Sequence, residues 1–304
     1  KADDKVMEAA NRDLYLVATD YFPDDETQSP GARLFRLSRI QLDLTTKTLL
    51  PNQFTSSIAA TFPKDPLQTN YEFAENLSFS AANFTPYTTW VDAIAAKVKA
   101  APNEVIHCAS TDAPCLQREA ASFVRNAFRH AVDDSVIAGF SNFYAESASA
   151  VGFADATADL VSVALTSPRY LFRDEVRTDA NQFLLPAQQL QNITYTLADA
   201  PPSAVALDAA TPLSAIGTEG DRQQTIDSIL ATPLARAKLM RFFTSWLEVK
   251  EPDTFTIDPL IFPAFTPQVA LAAVQETEAF LKHQLSKAAP NLKDITQSTE
   301  SFVS

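Results

Sequence analysis

Apolar residues recur at helical spacing along most of the chain. In the stretch 116–132, Phe123, Val124, Ala127 and Phe128 fall on one face when the residues are placed 100° apart, as in an amphipathic helix. The same spacing predicts ten further helical segments, at 3–21, 33–50, 85–98, 133–147, 153–165, 184–197, 203–210, 222–230, 234–248 and 266–285. The pattern therefore indicates a chain built almost entirely of helices.

Prolines, with the Thr or Ser that precedes them, support the predicted helix boundaries. Thr85-Pro86, Thr232-Pro233 and Thr266-Pro267 each place a capping hydroxyl before a proline, which is typical of a helix N-terminus. Ser167-Pro168 predicts the end of the helix that precedes it.

Strand signals are poor, because no alternating β-branched run persists and neither Asn-Gly nor Asp-Gly occurs. We therefore predict an all-α protein, a multi-helix bundle of about ten helices. The polar, irregular stretch 176–183 suggests a boundary near residue 180. It would give an N-terminal lobe at 1–180 and a C-terminal lobe at 181–304; one continuous helical domain is the alternative.

The net charge of the chain limits the kinds of molecule that it is expected to bind. The formal net charge of -13 opposes binding to nucleic acid and to anionic membranes, and leaves open a basic or amphiphilic partner, or a pore. No apolar run approaches the ~20 residues that span a bilayer. Because Lys1 is not an initiator methionine, we expect a processed, exported chain, located in the periplasm, at the cell surface or outside the cell.

The two cysteines, Cys108 and Cys115, lie close together in a loop-like stretch. In an oxidising compartment they can close a small ring, whereas in a reduced cell they would remain free thiols. We predict the disulfide, because nothing else nearby would use two thiolates.

The sequence contains few residues that are candidates for catalysis or for binding a metal or haem. The histidines are His107, His130 and His283; Cys-x-x-Cys-His haem attachment and Gly-x-Ser-x-Gly hydrolase motifs are both missing. His107 beside Cys108 is either a metal ligand or an ordinary loop residue, and His130 is either a base or a helix-terminal residue. The aromatic cluster around Trp246 predicts helix packing, with a stacking platform as the alternative. We expect no cofactor within this chain.

Three segments, in the right order, resemble a family of large exported bacterial proteins of uncharacterised function. They are Arg36-Leu37-Ser38-Arg39 through Leu49-Leu50, Leu165-Thr166-Ser167-Pro168-Arg169-Tyr170-Leu171-Phe172-Arg173-Asp174-Glu175, and Ala231-Thr232-Pro233 through Phe242-Phe243 to Trp246-Leu247. Family members are abundant in planctomycetes, and many carry a fused planctomycete-type cytochrome c module. The resemblance implies that the shared positions are Arg36, Arg39, Ser167, Pro168, Arg173, Glu175 and Trp246.

Other family positions differ here. Gln41, Leu44 and Thr48 stand where the family carries Glu, Asn and Asp, and the family's Arg-Leu-Ser-Tyr-Phe-Leu-Trp stretch is replaced by the residues 192–198. The apolar spacing is kept while polar residues change, which favours shared packing over a shared site. For Arg173 and Glu175 we accordingly expect buried charges paired with backbone or with opposite charges, rather than a site lining.

Two functions follow from these observations. The first is an exported helical binding or scaffold subunit that docks onto a partner chain or onto a continuation after Ser304; the resemblance suggests a redox, cytochrome-associated partner. The second is an enzyme component, an oxidoreductase or a polymer-degrading protein, that acts with haem on another polypeptide. The second depends on analogy to the cytochrome-fused relatives alone.

Overall fold

A computed structural model describes residues 33–54, 56–68, 71–72, 77–109, 112–175, 184–203, 216–249, 254–255, 257–258, 260–287 and 291–302. The helix predicted at 3–21, most of the one predicted at 203–210, and the boundary predicted near residue 180 lie outside the described residues. Within them the chain folds into eleven α-helices and two small two-stranded sheets, which confirms the all-α prediction.

The helices are α1 Arg39–Leu49, α2 Ala81–Ala100, α3 Ala113–Ala127, α4 Asp134–Val151, α5 Phe153–Thr166, α6 Pro168–Leu171, α7 Pro186–Ala198, α8 Glu219–Leu230, α9 Pro233–Trp246, α10 Pro267–Leu285 and α11 Leu292–Gln297. The strands are β1 Arg33–Arg36, β2 Leu67–Gln68, β3 Tyr71–Glu72 and β4 Phe172–Glu175. Two compact units result. Unit 1 comprises Lys1–Pro66 and Phe73–Ile226, and unit 2 comprises Leu67–Glu72 and Asp227–Ser304.

Unit 1 is organised around α5. This helix packs against α2 and α4, and α3 packs against α4, so that four helices surround one continuous apolar core. Leu160 and Val161 of α5 are fully buried, as are Val98 of α2 and Val124 of α3. Such a core stabilises the fold because it removes a large apolar area from water.

The prediction of one helix at 33–50 is wrong over its first six residues, because the helix begins at Arg39. Arg33–Arg36 forms β1, which pairs antiparallel with β4 so that Phe35 lies opposite Arg173. The helix starts afterwards, because Ser38 and Gln41 form a reciprocal capping box. The Gln41 N–H donates to Ser38 Oγ (3.2 Å), and the Ser38 N–H donates to Gln41 Oε1 (3.1 Å). Pairing with a distant strand thus overrides the local periodicity.

The start predicted at Thr85-Pro86 is also wrong. Helix α2 begins at Ala81, after Ser80, whose N–H donates to Asn83 Oδ1 (2.8 Å). Pro86 is therefore the sixth residue of the helix, and because proline has no N–H it removes one intrahelical hydrogen bond, the one that would go to the Ala82 carbonyl. At the other two Thr-Pro pairs the prediction is confirmed, since Thr232 and Thr266 are the N-caps of α9 and α10.

Unit 2 contains the short β2–β3 hairpin and the helices α9, α10 and α11, with α9 packed on α10 and α10 on α11. Its buried apolar residues are few and mostly small; among the described residues they are Ala235, Ala270, Val274, Leu281 and Ile295. Across both units, none of the described helices is long and apolar enough to cross a membrane.

Candidate functional site

The first two motif segments, far apart in sequence, meet in unit 1. Strand β1 pairs with β4, and beyond the paired residues the Leu37 N–H donates to the Leu171 carbonyl (2.9 Å). Arg36 lies opposite Phe172, one residue before Arg173. The structure therefore joins the motif arginines of both segments in one small sheet at the edge of the helical core.

Arg36 and Arg39 share one carboxylate, that of Asp65. The buried Arg36 guanidinium forms an ion pair and hydrogen bond with Asp65 Oδ1, and the Arg39 backbone N–H donates to Asp65 Oδ2 (2.7 Å). Arg36 Nη1 also donates to the Leu37 carbonyl (3.0 Å), and its guanidinium lies 5.3 Å from the centre of the Phe62 ring. This carboxylate ties β1 and the start of α1 to the loop that carries Asp65.

Ser167 and Pro168 form the joint between α5 and α6. Ser167 has extended backbone angles, and its hydroxyl accepts a hydrogen bond from the Arg169 N–H (3.3 Å). Pro168 occupies the first position of α6, where a missing N–H costs least. The pair therefore ends α5, as predicted, and also starts the short helix that leads into β4.

Arg173 and Glu175 lie on the buried face of β4, two residues apart, with Arg173 Nη2 3.8 Å from Glu175 Oε1. The Arg173 guanidinium lies over two aromatic rings, 5.1 Å from the centre of Phe35 and 5.5 Å from that of Tyr195. A cation on an aromatic face gains electrostatic attraction that increases as water is excluded. The contacts place both charges inside unit 1 rather than on an open cleft.

Sequence reasoning missed the central residue of this region, Arg129. It follows α3 in a left-handed conformation (φ 54°) and its side chain is almost entirely buried. Three of its N–H groups donate to the carbonyls of Arg169 (2.9 Å), Tyr170 (3.1 Å) and Phe172 (2.8 Å). These carbonyls at the end of α6 carry partial negative charge, so they stabilise a cation without a carboxylate.

Gln191 of α7 completes the coordination of Arg129. Arg129 Nε donates to Gln191 Oε1 (3.2 Å), and Gln191 Nε2 donates back to the Arg129 carbonyl (3.1 Å). The same guanidinium lies 6.0 Å from the ring centres of Tyr170 and Tyr195. Arg129 therefore connects three elements: the end of α3, the end of α6 and the middle of α7.

Helix α1 joins this arrangement through Gln41, at which the chain departs from the pattern of the family that it resembles, and through Thr45. Gln41 Nε2 donates to Asp199 Oδ1 (3.0 Å), and the hydroxyls of Thr45 and Tyr195 are hydrogen-bonded at 2.8 Å. All four residues are buried. We call the connected set the polar junction; it comprises Gln41, Thr45, Arg129, Tyr170, Arg173, Glu175, Gln191, Tyr195 and Asp199.

Two tyrosines in and beside the polar junction, Tyr170 and Tyr87, are neutral hydrogen-bonding groups. Burial raises the pKa of Tyr170 well above its usual range, although its hydrogen bond with the Thr46 hydroxyl opposes the shift. Burial likewise raises the pKa of Tyr87, whose hydroxyl donates to the Leu165 carbonyl (2.7 Å). Because these two phenols keep their protons at physiological pH, neither supplies a phenolate base.

The histidines occupy peripheral positions. His107 Nδ1 lies 3.3 Å from Glu119 Oε2, His130 Nε2 lies 3.0 Å from Asn126 Oδ1 just past α3, and His283 Nε2 lies 3.8 Å from Glu300. Over the ranges that the structure describes, no group of three or more His, Cys, Asp or Glu residues is placed to hold a metal ion.

The predicted disulfide is confirmed: Cys108 and Cys115 are bonded, with their Cα atoms 6.0 Å apart. Cys115 lies in the first turn of α3, where its N–H donates to the capping Asp112 (3.1 Å), and Cys108 packs against the core. The bond fixes the start of α3 to the chain that leaves α2.

In unit 2, Trp246 ends a row of aromatic rings. Tyr71 stacks on Phe242 (ring centres 5.4 Å apart), Phe242 contacts Phe243 edge to face (5.2 Å), and Phe243 contacts Trp246 in the same way (5.9 Å). The helix–helix packing predicted for this cluster stays a prediction, since the ring contact that these residues make outside α9 is with Tyr71 of the β2–β3 hairpin. Nevertheless Phe242 remains 46% and Trp246 40% exposed, so part of the row faces water.

Exposed apolar side chains are concentrated in unit 2. Of the large apolar side chains that are exposed among the described residues, four belong to unit 1, namely Phe143, Val151, Val163 and Leu185. Those of unit 2 are Leu67, Leu230, Leu234, Phe242, Trp246, Leu247, Ile257, Leu260, Ile261, Phe262, Val269, Leu271 and Leu292. Scattered exposed apolar residues are normal, whereas such a concentration in the smaller unit is typical of a binding surface.

Unit 2 also carries a polar depression of about 440 Å³. It lies between the end of α10 and α11, and Lys287 and Lys293 share its lining with Asp294 and Glu300. Because two cations and two carboxylates line it together, the depression has no net charge that would select a charged ligand.

Comparison with known proteins gives one family match. Residues 186–304 match PSD4, a family model described as a protein of unknown function (DUF1592). This range includes the third motif segment and excludes the first two. It covers all of unit 2 except Leu67–Glu72, together with the part of unit 1 from residue 186 onward. Neither a curated protein nor a solved structure matches the chain.

Proposed function

We propose that this chain is an exported helical binding subunit that docks onto a protein partner through unit 2. The observation that supports the proposal is the set of large apolar side chains that α9, α10 and the segment between them expose. Exposed apolar side chains that are gathered in one part of a protein are a feature of interaction sites. Aromatic residues such as Phe242 and Trp246 are enriched in the buried centres of protein interfaces.

The composition of unit 2 supports the same proposal. Its buried apolar residues are mostly alanines and short aliphatic side chains, while its Trp and several of its Phe and Leu side chains are exposed. A partner that covered those side chains would contribute the apolar burial that unit 2 itself lacks. Unit 1 differs, because large apolar side chains fill its core and buried hydrogen bonds connect its polar junction; it would serve as the scaffold.

Export is supported by the Cys108–Cys115 bond. Disulfides persist in oxidising compartments and are rare in the reducing cytosol. A location in the periplasm or outside the cell also fits the resemblance noted above. The partner would then be another exported protein.

Native mass spectrometry of the protein isolated from its own cells tests the proposal. We expect a stable complex with a second polypeptide, and we expect replacement of Phe242 and Trp246 by Ser to release it. The matched control is Val163→Ser in unit 1, which also changes an exposed apolar side chain and should leave the complex intact. A chain that is monomeric at native concentration would contradict the proposal. A Soret band in the purified complex would identify the partner as a haem protein.

A further inference from the structure

The most prominent apolar feature of unit 2 is formed by Leu260, Ile261 and Phe262. Leu260 and Ile261 are the two most exposed large apolar side chains among the described residues, at 91% and 67%, and their neighbour Phe262 is 59% exposed. Three consecutive side chains of this size are rarely left in water on a monomeric protein. We call these three residues, with Asp258, the apolar turn.

The backbone of the apolar turn is fixed by hydrogen bonds. Asp258 Oδ1 accepts the Leu260 N–H (2.8 Å), and the Asp258 carbonyl accepts the N–H groups of Ile261 (3.2 Å) and Phe262 (2.9 Å). At its base the Phe265 N–H donates to the Phe262 carbonyl (3.0 Å), and the rings of Phe255 and Phe265 are in contact. A preformed turn loses little conformational entropy when it inserts into a partner.

The segment that contains the apolar turn is acidic in sequence. Between Lys250 and Lys282 the chain carries Glu251, Asp253, Asp258, Glu276 and Glu278, and it carries neither lysine nor arginine. The whole chain has a formal charge of -13. An apolar anchor within such a segment is electrostatically complementary to a pocket whose rim is basic.

From these observations we infer that the apolar turn is the anchor of the docking surface. It inserts into an apolar pocket, rimmed by lysine or arginine side chains, on a partner protein. This inference rests on the proposed function and specifies the chemistry of the partner. The acidic surroundings disfavour two other occupants, because an anionic lipid surface and a second copy of this chain both carry the same sign of charge.

The test starts with photo-crosslinking. The full chain with Ile261 replaced by p-benzoylphenylalanine is irradiated in an extract of its own cells, and the cross-linked protein is identified, purified and titrated against the unmodified chain. We expect Leu260→Asp to weaken this binding about thirtyfold, as for an interface hot spot. Because complementary charges steer and orient the pair, we also expect affinity to fall when the salt concentration rises from 50 to 500 mM.

Val163→Asp is the matched control, since it places the same charge at an exposed apolar position of unit 1, and it should bind like the unmodified chain. Cross-linking of the chain to itself, binding to phosphatidylcholine or phosphatidylglycerol vesicles that Leu260→Asp abolishes, or affinity that does not change with salt would each overturn the inference. If the Leu260→Asp variant binds the partner normally while the Phe242 and Trp246 double variant does not, the apolar turn is not the anchor and the proposed function stands. If no partner binds at all, the proposed function itself fails.

Discussion

The two units use charged and apolar residues in opposite ways. Unit 1 buries three arginines, Arg36, Arg129 and Arg173, and each lies over at least one aromatic ring. Unit 2 leaves Trp246, Leu260 and other large apolar side chains exposed to water. Unit 1 thus buries charged residues that are usually exposed, and unit 2 exposes apolar residues that are usually buried.

The difference concerns the free energy of moving a side chain out of water, which is unfavourable for a charged group and favourable for an apolar one. A buried cation is tolerated where carbonyls, carboxylates and ring faces replace water, as the polar junction does for Arg129. An exposed apolar side chain forgoes its stabilising burial unless another surface covers it. In the proposed function, unit 1 is the scaffold and unit 2 is the surface that a partner covers. Four predictions test this contrast.

The largest effect is expected from Arg129→Met. The substitution removes hydrogen bonds to four acceptors and leaves the carbonyls of Arg169, Tyr170 and Phe172 without this donor. We expect a loss of about 3–5 kcal/mol in the free energy of unfolding, measured by urea denaturation. Arg125→Met is the control, because its ion pair with Asp134 is exposed, and it should cost less than about 1 kcal/mol. Equal costs for the two variants would contradict a central role for Arg129.

Arg173→Met should cost somewhat less, about 3 kcal/mol, because Glu175 would lose its ion pair with Arg173 while the Met side chain still packs on Phe35. The melting temperature and partner binding should be measured together. A variant with an unchanged melting temperature that no longer binds its partner would show that Arg173 belongs to a site rather than to the scaffold.

The next effect is that of the disulfide. Replacing Cys108 and Cys115 with Ser should lower the free energy of unfolding by about 2–3 kcal/mol, from the chain entropy of a short loop. Hydrogen exchange should increase at the start of α3, which the bond fixes, and remain unchanged in α10. Mass spectrometry of the unreduced protein should find neither thiol alkylatable; two reactive thiols would remove the support for export.

The smallest effect should come from Leu260→Asp, within about 0.5 kcal/mol, because the side chain makes almost no contacts in the isolated chain. Leu281→Ala is the control within the same unit: Leu281 is fully buried, and its truncation should cost about 2–4 kcal/mol. A large loss of stability for Leu260→Asp would indicate that the apolar turn packs inside unit 2 and is no docking anchor.

Sequence periodicity alone predicted α3, α4, α5, α7, α9 and α10 to within a few residues, because amphipathic spacing and capping depend on neighbours within one or two turns. The bond between Cys108 and Cys115 was predictable for a similar reason: the two residues are close in sequence and are the only cysteines. The exposure of Leu260-Ile261-Phe262 could not be predicted in this way, since an apolar run reads as buried until its surroundings are known.

What only the tertiary structure decided is the pairing of residues distant in sequence. Arg129 and Gln191 are 62 positions apart, Thr45 and Tyr195 are 150 apart, and Gln41 and Asp199 are 158 apart. No local sequence pattern marks such pairs, because a polar side chain on a helix can form equally good hydrogen bonds with water until packing excludes the water. The sequence by itself therefore determined where the helices lie, and packing decided which of their polar residues became the polar junction.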